Sequence, residues 1–281
     1  MFIKIRSKNE TADPLRKRID CGRDKVVLRL GSTTPNEAIF SGPANQKVYE
    51  INKPIGATIS GDKLKMKKAF LQAGLWEVTA PYLPLKNVSA ILDSKNPTAP
   101  FYPVDEGEKL IGRYPSIIKH RNSSRGNGIY FIRDEESLVS FLRRKNDEEL
   151  NGYIIEKYFT YTKEYRLHVT RNGCFYACRK MLKRDTPEGD RFHRHEDNSV
   201  WILEDNPIFE RPAEWDVIVD ACIKAMKSVQ LDLCAVDVKV SKDNNGKSKF
   251  IILETNSAPS LGEIGTQKYI EILYNYKNIV D

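Results

Sequence analysis

The stretch Leu231 to Ser260, LDLCAVDVKVSKDNNGKSKFIILETNSAPS, constrains the fold more than any other part of the chain. Val236, Val238 and Val240 alternate with Asp237 and Lys239, a polar Asp-Asn-Asn-Gly run follows, and Phe250 to Glu254 returns as a second apolar run. Period-two alternation on either side of a turn is the pattern of a hairpin in a buried sheet. Folding about the turn brings Asp237 opposite Glu254, or within a residue of it. Side chains alternate faces along a strand, so valines turned to the core with Ile251 and Leu253 leave Asp237, Lys239, Glu254 and Asn256 together on the other face. Two carboxylates forced together on an apolar sheet repel each other unless a cation lies between them. Mg²⁺ takes one or two carboxylates and completes its shell with water and substrate phosphates, so two acids and an amide oxygen suit it. From the acids alone, an exposed hairpin face with solvated charges is the competing reading.

The residues after the second acid separate these readings. Glu254-Thr255-Asn256-Ser257-Ala258-Pro259-Ser260, following a strand that carries Asp237, resembles the C-terminal metal motif of the ATP-grasp superfamily. The resemblance implies that Asp237, Glu254 and Asn256 hold Mg²⁺, or Mn²⁺, with ATP. It extends over roughly Gly61 to the C-terminus and implies an α+β fold, two lobes clasping ATP, preceded by a short α/β N-terminal domain. The expected division is an N-terminal α/β region and linker over 1–100, a small glycine-loop lobe over 101–160 and a metal-binding lobe over 161–281. The region before residue 60 is shorter than the leading domain usual in the family.

The other parts of such an enzyme can be sought in order. Tyr114 to Ile132 reads as strand, Ser/Gly-rich turn and strand, with Lys119 near the end of the first and Arg125, Gly126 and Gly128 in the turn. Glycines there let backbone N–H groups approach phosphate oxygens, although a plain hairpin turn has the same composition. No Gly-Lys-Ser/Thr opens a helix, so this is not a P-loop. Tyr153 to Phe159 resembles the family's hinge strand, which implies an adenine contact along Glu156, Lys157 and Phe159. Glu164-Tyr165-Arg166 matches the family's acid-x-Arg strand: Glu164 would accept the ribose hydroxyls and Arg166 would face the phosphates or an acyl-phosphate. An exposed cross-strand Glu164–Arg166 pair is the bland alternative. Arg179 and Lys180 end the next strand and would neutralise a transferred phosphoryl group. Arg166, Arg179 and Lys180 are thus the expected catalytic residues. Gly61 to Leu75 has a capping Asp62, apolar residues at helical spacing and Gly74 to stop it. It resembles the helix that opens the family's ATP-binding part, with Lys63 as a candidate.

Around these motifs the spacing predicts edge strands of a parallel sheet at Lys25–Leu30 and Lys47–Ile51, one amphipathic helix over Glu135–Leu150, another over Trp215–Val229, a linker over 80–115, a loop over Gly262–Gly265 and a final helix over Thr266–Ile279. With 281 residues, 40% of them hydrophobic, the chain can bury a sizeable core. No apolar run reaches the length of a membrane span and MFIKIRSKNE lacks a secretory signal, so a cytoplasmic location with no membrane partner is expected. Five scattered cysteines fit a reducing compartment. Cys174 and Cys178 can be drawn with His193 and His195 as a zinc site, but the spacing matches no common ligand pattern. The net charge of +7 is spread along the chain and interrupted by acids, which argues against a nucleic-acid partner. The resemblance therefore implies an ADP-forming carboxylate–amine ligase acting on small-molecule or peptide substrates; the alternatives are a kinase-type or non-catalytic ATP-binding protein and, behind these, a basic nucleic-acid-binding protein.

Overall fold

The structure is a computed structural model, and it describes residues 2–6, 21–35, 43, 45–85, 114–123, 126–192, 194–195, 197–242 and 246–280. A three-stranded parallel sheet comes first, formed by β1 (Phe2–Arg6), β2 (Lys25–Leu30) and β3 (Val48–Ile51), with β2 in the centre. The KVVLRL run is therefore not an edge strand as its sequence suggested. Phe2–Arg6 pairs along its second side, and all six of its residues are buried. Two helices follow, α1 (Pro54–Ser60), which opens on a proline, and α2 (Lys63–Gln72). Asp62 starts α2 as expected by accepting hydrogen bonds from the amides of Leu64 (2.9 Å) and Lys65 (3.3 Å).

A second, antiparallel sheet contains β4 (Tyr82–Pro84), β5 (Ser116–His120) and β6 (Ile129–Ile132). After α3 (Glu135–Arg143) and α4 (Asp147–Leu150), β7 (Tyr153–Lys157) inserts between β4 and β5. Leu138, Phe141 and Leu150 pack with Ile118 and Ile155 on one face of this sheet. The single helix expected over Glu135–Leu150 is two, because the Asn146 side chain accepts from the Glu149 amide (2.9 Å) and begins a new capped turn. Most of the linker expected over 80–115 falls at 86–113, outside the described residues.

The third sheet is antiparallel, in the order β10-β9-β8-β11-β12. Its strands are β8 (Lys163–Thr170), β9 (Gly173–Leu182), β10 (Ser199–Leu203), β11 (Leu233–Lys242) and β12 (Ser248–Asn256), with α5 (Trp215–Ser228) between β10 and β11. Ile218, Cys222 and Met226 of α5 join Met66 and Phe70 of α2 over Val236, Val238 and Ile252. A bulge corrects the expected core face of the last hairpin. Asp237 pairs with Glu254 but Val238 pairs with Ile252, so Leu253 is an extra residue and the alternation of β12 shifts by one. Phe250 and Ile252 thus join the valines in the core, while Ile251 lies opposite Lys239.

Two helices end the chain, α6 (Glu263–Leu273) and α7 (Lys277–Val280), so Glu263, Ile264 and Gly265 form a first helical turn rather than a loop. Tyr269, Leu273 and Ile279 share one core with Phe2, Val26, Leu28 and Ile51 of the first sheet. Asn52 fastens that junction from a left-handed backbone (φ 65°). Its side chain donates to the carbonyls of Leu233 (2.7 Å) and Arg29 (3.2 Å) and accepts from the amides of Asp232 (2.9 Å) and Leu233 (3.0 Å). No helix among the described residues is long and apolar enough to cross a membrane.

Candidate active site

Strand register sorts the side chains of the five-stranded sheet into rows on the face opposite the core. One row runs Cys178, Arg166, Asp237 and Glu254 across β9, β8, β11 and β12. Its neighbour runs Trp201, Lys180, Glu164 and Lys239 across β10, β9, β8 and β11. The two acids singled out in the sequence are therefore direct cross-strand partners, and Asn256 follows on the same face opposite Ala235.

Asp237 is gripped by Arg166 through two hydrogen bonds, Nε to Oδ1 (2.7 Å) and Nη2 to Oδ2 (2.8 Å). Burial alone would push this carboxyl up, but the Arg166 guanidinium outweighs it and holds Asp237 below its ordinary value. An exposed Glu164–Arg166 pair is thus excluded, since Arg166 is committed to Asp237 and Glu164 is buried. Glu254 is more open, its side chain 37% exposed, with Lys63 Nζ 4.0 Å away. The Asn256 amide oxygen accepts from the Ala258 amide (2.9 Å), which fixes the side chain. Two carboxylates and an amide oxygen on one face form an all-oxygen donor set, the chemistry that a hard divalent cation such as Mg²⁺ or Mn²⁺ prefers.

In the second row Glu164 sits between Lys180 and Lys239, and burial raises its pKa. Burial also lowers Lys239 to about 7. The Lys239 ammonium lies 3.8 Å from the centroid of the Tyr161 ring and 5.7 Å from that of Tyr158. Lys180 Nζ donates to the Arg194 carbonyl (2.5 Å) and lies 5.3 Å from the Trp201 ring centroid.

Around the small sheet cations outnumber acids. Lys119 of β5 donates to Glu156 Oε2 on β7 (2.9 Å), and Lys67 of α2 approaches Oε1 of the same carboxylate (3.3 Å). Burial would push Glu156 up, but the two lysines more than offset it and keep the acid ionised. One turn earlier on α2, Lys63 donates to the Ser123 carbonyl (2.5 Å). Gly126 and Gly128 in the following turn have positive φ of 81° and 67°, and a Cβ on Gly128 would stand 2.8 Å from the His120 Cβ. Arg125 lies outside the described residues.

Several expected residues are not brought to these rows. Arg179 pairs with Tyr165, a core residue, so strand alternation puts it on the opposite face from Lys180, where it donates to the Ile208 carbonyl (3.4 Å). Lys157 pairs with Ser116 on the face away from Lys119 and Glu156. The amides of Lys157 and Tyr158 donate to the carbonyls of Pro81 (2.9 Å) and Pro115 (3.2 Å), while Phe159 lies beyond the strand, half-buried. His195 Nδ1 is 3.6 Å from Asp197, and His193 lies outside the described residues. Among the described residues no three His, Cys, Asp or Glu side chains gather as metal ligands. Two residues escaped the sequence reading, Lys67 and Trp201, whereas Lys239 was already placed on the face of Asp237. Lys67 alone had a local signal, its place four residues after Lys63 on one helical face.

No protein-family model matches the chain, and no curated protein matches it in sequence. Solved structures do. The chain is similar to the D-alanine–D-alanine ligase from Bacillus anthracis, at 13% identity and a TM-score of 0.59 over 99% of this chain and 95% of that one. A second structure of that ligase, complexed with ATP, gives a TM-score of 0.56. It is also similar to the VanG D-Ala:D-Ser ligase from Enterococcus faecalis, at 15% identity and a TM-score of 0.54 over 90% and 73% of the two chains. A third likeness is to the N5-carboxyaminoimidazole synthetase from Staphylococcus aureus complexed with ADP, at 16% identity and a TM-score of 0.54 over 84% and 54%. With two α+β lobes, a glycine-bearing hairpin in one and an acidic strand pair in the other, the chain is built on the ATP-grasp fold.

Proposed function

We propose that the chain is an ATP-dependent carboxylate–amine ligase. The observation that carries this reading is the direct pairing of Asp237 with Glu254 on one lobe, with a lysine-rich cluster around Glu156 on the other. A polyanion with its divalent cation suits that division of charge. Lys119 holds an inner phosphate, the turn ending in Gly126 and Gly128 covers the phosphates, and Glu164 receives the ribose. Asp237, Glu254 and Asn256 hold Mg²⁺, which supplies charge neutralisation along the phosphates. Arg166 and Lys180 face the transferred phosphoryl group, whereas Arg179, on the far face, has no part in it. The carboxylate substrate attacks the terminal phosphorus and releases ADP. The amine then attacks the acyl-phosphate carbon, losing a proton as inorganic phosphate departs. The protein contributes position and charge rather than covalent chemistry. Two of the structural neighbours join amino acids according to their names, which supports this reaction class.

Calorimetric titration with ATP in the presence of Mg²⁺ tests the nucleotide half of the reading, and no heat of binding would end it. ADP release screened over pairs of amino acids and peptides, followed by mass spectrometry, tests the ligase half. An amide product is expected. A stable phosphorylated product formed without any amine would make the chain a kinase on the same fold.

A further inference from the structure

We infer that Trp201 is a positioning residue for Arg166, providing the face on which the guanidinium rests once the Asp237 carboxylate exchanges it for a metal ion. The inference builds on the reading of Asp237, Glu254 and Asn256 as the metal ligands. Trp201 stands on β10, two strands away from Arg166, yet the Arg166 guanidinium carbon lies 4.7 Å from its ring centroid. Large indoles are seldom left open, but this one is 38% exposed on the face that bears the acids. On its other side Arg166 spends Nε and Nη2 on the two oxygens of Asp237. The guanidinium is thus shared between a carboxylate and an aromatic face.

That arrangement cannot persist unchanged when Asp237 binds a metal. Both carboxylate oxygens already face a positive charge, and a dication brought to them is repelled by the guanidinium at short range. Release into water is one outcome for Arg166. The indole offers another, because a guanidinium over a tryptophan face is attracted without needing a carboxylate. Held there, its donors stay in the row and turn from Asp237 toward an anion on the open side of the sheet. Lys180, over the same ring, keeps a second cation beside it.

The test follows tryptophan emission of the full chain through a titration with MgCl₂ at saturating non-hydrolysable ATP analogue, with calorimetry in parallel. The emission of Trp201→Phe, which retains Trp76 and Trp215, is subtracted. A saturable change in the Trp201 signal that follows the heat of binding is expected. Trp201→Ala should weaken Mg²⁺ binding about 2–10-fold, and Trp201→Phe should restore most of it. In an Arg166→Met background the same Trp201→Ala change should have no further effect. Heat of binding without any Trp201 signal would overturn the inference and leave the nucleotide reading intact. So would an equal loss from Trp201→Ala with and without Arg166. The absence of both heat and signal would remove the two readings together.

Discussion

The small lobe and the large lobe each bury an ion cluster, and the two are built on opposite principles. In the small lobe one carboxylate, Glu156, is shared by Lys67 and Lys119 with almost no exposure, and Lys63 stands one helical turn from Lys67. In the large lobe one guanidinium, Arg166, closes on Asp237, while Glu254 beside it stays open. The first cluster has cations in excess and the second has acids in excess. Lys63 reaches toward both, bonded to Ser123 of the glycine turn and 4.0 Å from Glu254. The difference shows how a fold assigns work: Glu156, sealed between its lysines, fixes where they stand, whereas Glu254, left open at its face, is available to a ligand.

The comparison is most severely strained by Glu156→Gln. Removing the one acid leaves two buried lysines facing each other, and breaking a buried ion pair costs about 3–5 kcal/mol. Urea unfolding at pH 7 measures it, and a loss under 1 kcal/mol would mean that the cluster is wetter than its burial indicates. The pH dependence has a definite sign. Because the lysines hold Glu156 below its ordinary 4.5, its contribution is fully present above that pH and fades as pH falls through the lower folded value. The gap between wild type and Glu156→Gln should therefore narrow on acidification below about pH 4. In the large lobe, Asp237→Asn should cost about 1–3 kcal/mol, since Arg166 keeps one acceptor, while Mg²⁺-dependent ATP binding is lost. Binding that survives this change would move the metal elsewhere. Glu254→Gln should change stability by no more than about 0.5 kcal/mol, because its ion pair is long and half in water. Its Mg²⁺ affinity should fall at least ~10-fold, and an unaltered affinity would exclude Glu254 from the metal site.

These two clusters also differ in how far the sequence revealed them. Asp237 and Glu254 lie on one hairpin, so alternation and a turn were enough to bring them together. The Glu156 cluster draws on α2, β5 and β7, and no local pattern says that β7 enters between β4 and β5. Glu156 was expected only as an adenine contact, and Lys67 not at all. Arg179 and Lys180 looked equivalent as neighbours, but adjacent strand residues face opposite ways, and only the register with Tyr165 and Glu164 shows which one meets the acids. The bulge at Leu253 shifted the core face because one inserted residue leaves no compositional mark. Trp201 was overlooked because its strand is only five residues long and its partner Arg166 sits two strands away.

The Asn52 fastening has a consequence for how this protein is made. Asn52 finishes its hydrogen bonds on Asp232 and Leu233, some 180 residues later in the chain. At about 5–20 residues per second, a ribosome takes roughly 9–36 s to supply those partners, and longer to supply Tyr269 and Leu273. Throughout that interval Val26, Leu28 and Ile51 have a sheet to form but no helix to cover it. Released fragments that end before residue 230 should lose the first 50 residues quickly to limited proteolysis, and the chain that carries Tyr269, Leu273 and Ile279 should keep them. The first sheet waits for the two helices that cover it, and a chaperone that holds apolar strands would have its longest engagement there.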